Sequence, residues 1–222
     1  MKTGLYVPVF HAFLTPYVKK FYGREFPEQN TREYINGVKE EFRQMVLRTP
    51  GLPGNNLEIN LYFAAYIFAL YKADPEHMGK EAIDRLVDEV FHSKLLVKLH
   101  KNKKCTMFTE KEMKAKADDM AHSGQSDSAC KWAGYFIPGT DEFYMTYTEC
   151  GICKMAAREG LSELVPSLCR MDYPNYSNDG GILFRTKTLG YGDDECNFHL
   201  VKKDSKALEK ALNRGEDKQN LR

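Results

Sequence analysis

Thiols, a carboxylate and a guanidinium crowd the last third of this 222-residue chain at spacings that could serve chemistry. Cys150 and Cys153 stand in Cys-Gly-Ile-Cys, Cys169 precedes Asp172 by three residues, Arg185 and Thr188 share Phe-Arg-Thr-Lys-Thr, and Cys196 is followed by Asn197. A cysteine can be a nucleophile or proton donor when its ionisation is tuned, a metal ligand, or simply a small buried hydrophobe. Taken one by one, these cysteines read first as core residues. A structural zinc site normally pairs one C-x2-C with a second ligand pair, and here that second half would have to come from the separated Cys169 and Cys196. No metal or other cofactor is therefore expected, a divalent metal being the minor alternative. The Cys-Gly-Ile-Cys also lacks the parallel strand–helix context of a thioredoxin-like redox pair.

Cys169 and Asp172 would share a face if the turn between them is helical, so that the carboxylate could position a water or orient a base. The more economical reading has Asp172 stabilising a turn before Tyr173-Pro174. Arg185 is a candidate anion anchor, because guanidinium binds a carboxylate in a bidentate fork, or else a solvated strand-face arginine. The histidines form no Ser-His-Asp or His-Glu-x-x-His arrangement. Gly190-Tyr-Gly192 links two strand-like runs and reads as a turn, not a phosphate loop.

The elements that must position these residues change character along the chain. Asn30-Thr31 opens a helix carrying Tyr34, Ile35, Val38, Phe42, Met45 and Val46 on one stripe, and the Thr-Pro-Gly-Leu-Pro-Gly at 49–54 ends it. Residues 57–72 are apolar nearly all round, which predicts a central buried helix. Asp74-Pro75 starts a third helix with Ile83, Leu86, Val87, Val90 and Phe91 buried, ending near Lys98. Residues 100–131, rich in Lys, Ser and Gly, read as a flexible connection or flap. Residues 132–137 and 143–148 predict a hairpin around Pro-Gly-Thr-Asp-Glu, and 182–189 with 196–202 predict two further strands. Between the pairs, 151–169 has helical spacing interrupted by Pro166, and 203–222 is a charged helix or tail. The expected fold is α+β: a helical half, 1–99, packed on an antiparallel sheet of about four strands with an intervening helix, all in a single domain over 1–222.

Composition narrows the partners. The 32 basic and 31 acidic residues leave a formal charge of +1, so no global field draws the chain to nucleic acid. No apolar run approaches the ~20 residues of a membrane span. The amino terminus lacks an export pattern, and a mature cytoplasmic protein with reduced thiols is expected. A small-molecule substrate or ligand is the expected partner, and dimerisation through the helical half stays open.

Three motifs taken together carry a resemblance. Tyr147-x2-Cys150, then Gly160-x2-Glu163-Leu164-x-Pro166-x2-Cys169-x2-Asp172, then Arg185-Thr186-x-Thr188-Leu189-x2-Gly192-x3-Cys196-Asn197-Phe198 resemble the L-2-amino-thiazoline-4-carboxylic acid hydrolase family. Asn197 departs from the family pattern, which usually has Asp after the cysteine. The resemblance implies addition of water to C2 of a 2-amino-thiazoline ring with expulsion of the ring sulfur. It makes Asp172 the base or amidine-binding carboxylate, and Cys169 or Cys196 the nucleophile or proton donor. Cys150, Arg185, Thr188 and Asn197 become substrate-binding, with Arg185 on the substrate carboxylate. A more distant similarity, to vinyl-reductase-type ligand-binding domains, implies a sensor or carrier with an apolar cavity lined by helix 57–72. An interaction module whose enzymatic parts have decayed is a third alternative, which Asn197 keeps open.

Overall fold

The computed structural model describes residues 1–93 and 105–214. Helix α1 (Tyr6–Glu25) leads into α2 (Thr31–Arg48), where the Asn30 side-chain oxygen accepts the amides of Arg32 and Glu33, each at 3.2 Å. Those two bonds satisfy donors that the first helical turn leaves without partners, so the asparagine sets the start of α2. Helix α3 (Glu58–Ala73) is the hub foreseen from its all-round apolarity: Leu61, Tyr62, Tyr66, Phe68 and Leu70 are almost fully buried among α1, α2 and α4 (Lys80–Phe91). The third predicted helix therefore stops at Phe91 and not near Lys98, and 94–98 lie outside the described residues. Among the described residues no helix is long and apolar enough to cross a membrane.

Residues 110–125, expected within a flexible connection or flap, form helix α5 (Glu110–Gln125). Thr109 caps it by accepting the Glu112 amide, the start of a Thr-x-x-Glu box. Its stripe is made of Met113 and Met120, which are buried against the sheet with Phe143, Met145 and Phe198. Methionine and alanine among many lysines dilute the apolar signal, yet two buried methionines a helical repeat apart are enough to dock the helix.

Strands β1 (Ala133–Ile137), β2 (Glu142–Glu149), β3 (Gly181–Phe184) and β4 (Cys196–Lys202) form one antiparallel sheet in the order β1-β2-β4-β3. Between β2 and β3 run α6 (Gly151–Glu159), a 3-10 turn at 162–164, α7 (Val165–Arg170) and α8 (Asp172–Asn178), while α9 (Lys206–Asn213) follows β4. The α+β architecture is as expected, with the helical half at the amino-terminal end. β3 ends at Phe184 instead of running to Leu189, because the Asn197 side chain captures the next free amides, those of Thr186 and Lys187, at 3.0 and 2.7 Å. A strand cannot continue where its donors are taken by a side chain. In the β2–β4 register Tyr147 faces Cys196, which places both at the end of the sheet where α6 and α8 begin. Tyr147 packs against the helical core and the sheet core alike.

Candidate functional site

Arg185, the first residue after β3, is drawn across the end of the sheet onto the first residue of α8. Its Nη1 donates to Asp172 Oδ2 at 2.7 Å and its Nη2 to the Cys169 carbonyl at 2.8 Å. The guanidinium carbon lies 5.1 Å from the Tyr173 ring centre and 4.8 Å from that of Phe198. The Arg185 side chain is 1% exposed, whereas Asp172 keeps 33% of its side-chain surface open. Burial pushes the Asp172 carboxyl above the usual aspartate range, and the Arg185 charge holds it part of the way back. Burial works against the Arg185 charge, and Asp172, Tyr173 and Cys169 together more than offset that, so the guanidinium stays ionised. The result is a carboxylate more basic than a free aspartate, fixed in place by a cation that is itself out of reach of solvent.

Three thiols, Cys150, Cys169 and Cys196, feel the charge of this pair, and Cys153 neighbours the first of them. Cys150 occupies the N-cap of α6, and Gly151 after it lets the helix start press on its neighbours. A Cβ at 151 would come within 2.1 Å of the Cys130 carbonyl and 2.6 Å of the Trp132 ring. The neighbouring Cys153 thiol, and then the Cys153 and Ile152 amides, favour the Cys150 thiolate and hold it below the ordinary thiol range in spite of burial. The Cys153 thiol is pushed up correspondingly by the neighbouring Cys150 and by burial. Burial, with the Asp172 charge, also raises Cys169. Burial pushes Cys196 up to about 12, although its sulfur accepts the Leu189 amide at 3.2 Å. Among the described residues no three His, Cys, Asp or Glu side chains are grouped as a metal site.

Labelling tests this ordering. With the exposed Cys105 replaced by serine, iodoacetamide is expected to modify Cys150 ahead of Cys153, Cys169 and Cys196, at a rate that rises below pH 9, while Cys196 responds only near pH 12. Peptide mapping with equal labelling of all four at neutral pH would remove the thiolate from Cys150.

A cavity of about 340 Å³ opens beside this cluster, at the lower end of the ~300–1,000 Å³ typical of small-molecule sites. Its walls come from the start of α3 (Leu57, Asn60), from α5 (Glu112, Lys116, Asp119), from β2 (Met145, Tyr147) and from α8 (Asn175, Tyr176, Asp179). Tyr147 and Tyr176 separate it from the thiols and the carboxylate, and burial followed by the Asp172 charge keeps both phenols protonated. Of the residues singled out in the sequence, Cys150, Cys169, Asp172, Arg185 and Cys196 gather behind these two tyrosines. Thr188 and Asn197 do not join them. The buried Thr188 donates its amide to Asp193 and accepts from the Tyr191 amide, so it shapes the turn at 188–193. Lys116, Tyr147 and Tyr176 line the cavity without standing out in the sequence as site residues. A signal for the first was present: Thr109-x-x-Glu112 announces a helix, and 112, 116 and 119 then fall on one face of it.

The family model for L-2-amino-thiazoline-4-carboxylic acid hydrolase matches residues 59–200, nearly two thirds of the chain. The chain belongs to this hydrolase family. No curated protein and no solved structure matches it significantly. The matched span runs from the first turn of α3 to β4, and so takes in the thiol cluster, the Arg185–Asp172 pair and most of the cavity wall, while α1 and α2 precede it.

Asn197 holds the loop that follows β3. Its Oδ1 accepts two amides and its Nδ2 donates to Thr186 Oγ1 at 2.8 Å, all within the loop that carries Arg185 to Asp172. A carboxylate there could accept the same two amides, and the threonine hydroxyl could turn to donate. Asn197→Asp is therefore expected to change stability by less than about 0.5 kcal/mol. Asn197→Ala, which orphans two amides, should cost about 1–3 kcal/mol in urea melts. Equal melts for both variants would show that the loop does not depend on this acceptor.

Proposed function

We propose that the protein hydrolyses the ring of a 2-amino-thiazoline-4-carboxylate or a close relative, giving N-carbamoyl-cysteine. The observation that carries this reading is the Arg185–Asp172 pair: a carboxylate made more basic by burial, held at 2.7 Å by an enclosed guanidinium, with thiols around it and a polar cavity alongside. With the Tyr147 and Tyr176 side chains turned aside to admit the substrate from the cavity, the open third of Asp172 is where a water would sit to lose its proton as its oxygen bonds to C2. As the C2–S bond breaks, Asp172 returns that proton to the leaving sulfur, and the second proton of the water is released to solvent, because both nitrogens of the cationic amidine already carry the protons that they keep in the urea, leaving a urea and a thiol. Cys150, the most thiolate-like of the sulfurs, is placed against the cationic amidine. Cys169 and Cys196 stay protonated and donate hydrogen bonds towards the departing sulfur. Arg185 acts through Asp172: both of its terminal nitrogens are committed, so it positions the base and does not reach the substrate carboxylate.

The carrier reading has less support, because the aromatic side chains of α3 are spent in the core and only Leu57 and Asn60, at its start, reach a cavity whose wall is mostly polar. Purified protein incubated with 2-amino-thiazoline-4-carboxylate in 18O-labelled water is expected to give N-carbamoyl-cysteine carrying the label in its carbamoyl oxygen. One new thiol should appear per product. No product above the protein-free control would overturn the reading.

A further inference from the structure

We infer that Lys116 is the anchor for the carboxylate of a small zwitterionic ligand, and that the cavity binds such a ligand with its anionic end on α5 and its cationic end towards Tyr147, Asp172 and Cys150. The inference deepens the ring-opening reading and rests on it for the identity of the ligand, though the cavity argument stands on its own residues.

Other lysines of the molecule have carboxylate partners: Lys72 with Glu159 at 2.6 Å, Lys80 with Asp84 at 2.7 Å, Lys114 with Asp118 at 2.6 Å, and Lys154 with Glu149. Lys116 makes no ion pair or hydrogen bond with the described residues, although it points into the protein from α5 and its Nζ lies 6.0 Å from the centre of the Phe143 ring. Asp119, on the same wall, is committed elsewhere: its carboxylate accepts the Asn56 amide at 3.1 Å and Asn56 Nδ2 at 2.8 Å. Burial makes the Lys116 ammonium easier to deprotonate, and only the more distant charges of Glu112, Asp119 and Asp179 oppose that. A half-buried ammonium that faces the cavity with no partner among the described residues would exchange water for a charge-assisted bond to a ligand carboxylate there. Arg185 is 1% exposed, its Nη1 and Nη2 each already donate a bond, and the donor left without a partner, Nε, is buried, so it does not face the cavity. At the other end, Asp172 and the thiolate-prone Cys150 lie behind Tyr147 and Tyr176 and favour positive charge. Glu112, Asp119 and Asp179 share the wall with Lys116, which is the one cation among the described residues that line the cavity, so the site suits a zwitterion with a single carboxylate and not a dicarboxylate or a neutral lipid.

The probes are L-thiazolidine-4-carboxylate, which has the ring and carboxylate but no amidine to hydrolyse, and thiazolidine, which lacks the carboxylate. Titration calorimetry on the full chain is expected to show the carboxylate form binding at least about tenfold tighter, the scale of one charge-assisted hydrogen bond. Lys116→Met should bring that ratio to about one, and Lys116→Arg should restore part of it, with thermal melts confirming that both variants are folded. A ratio unchanged in Lys116→Met, or no preference for the carboxylate in the wild type, overturns the Lys116 assignment. Ring opening of 2-amino-thiazoline-4-carboxylate is assayed on the same samples. A ratio that collapses on mutation while the wild type opens no ring leaves the anchor standing and removes the hydrolase reading. Ring opening with a Lys116-independent ratio does the reverse.

Discussion

Asp172→Asn is expected to leave the protein folded and to slow thiazoline ring opening by roughly 10²–10⁴-fold, the usual contribution of a general base. The substitution keeps the shape of the side chain, and the amide oxygen can still accept from Arg185 Nη1, so the end of the sheet should not rearrange. What it removes is the proton acceptor. The measurement is the initial rate of N-carbamoyl-cysteine formation alongside a thermal melt of each protein. A pH profile sharpens it: burial raises Asp172 above the ordinary aspartate value of 3.8, so wild-type activity should fall on acidification at a pH higher than a free aspartate would dictate. Any residual activity of Asp172→Asn should lack that acid limb. Full activity in the variant would remove Asp172 from the base role while leaving membership of the family untouched.

Arg185→Met should be the most destabilising single change in the site, at about 3 kcal/mol, the lower end of the range for breaking a buried ion pair. The lower end applies because Asp172 retains a third of its side-chain surface in solvent and can be rehydrated in part. The loss has three sources: an Asp172 carboxylate without its cation, a Cys169 carbonyl without its donor, and two aromatic faces, Tyr173 and Phe198, without the guanidinium between them. The pH dependence identifies the first. Arg185 holds the Asp172 carboxyl down, so its removal lets burial raise that group further in the folded state. A carboxyl raised above its unfolded value stabilises the fold when protonated, and that contribution is lost as pH rises through the folded pKa. The defect in urea melts should therefore be larger at pH 8 than at pH 5, and Asp172→Asn combined with Arg185→Met should recover part of it. A defect independent of pH would place the cost in packing and not in the stranded carboxylate.

These two residues also show how far the chain could be read before folding. The type and spacing of Cys169, Asp172, Arg185 and Cys196 are local properties, and so is the family pattern they compose. The Asn30 cap, the all-round apolarity of 57–72 and the two strand pairs are local in the same sense, since each is written within a single element. The course of Arg185 is not. An arginine following a strand can face solvent, a ligand or a partner, and only the approach of α8 to the end of β3 decided that it would be enclosed on Asp172. Helix α5 was hidden for a related reason: its buried stripe is two methionines in a lysine-rich segment, too weak to register without the sheet that receives them. With α5 unread, Lys116 had no neighbours, and the cavity that it shares with Tyr147 and Tyr176 could not be seen.

What the sequence by itself determined is the family, the α+β class and the types and spacing of the candidate groups, because motif order, periodicity and capping act over a few residues each. Which groups are spent on one another, which thiol is shifted towards the thiolate and which cation is left facing the cavity were decided by tertiary structure. Burial, ion pairing and access to water depend on segments far apart in the chain, and their balance exists only once those segments have met.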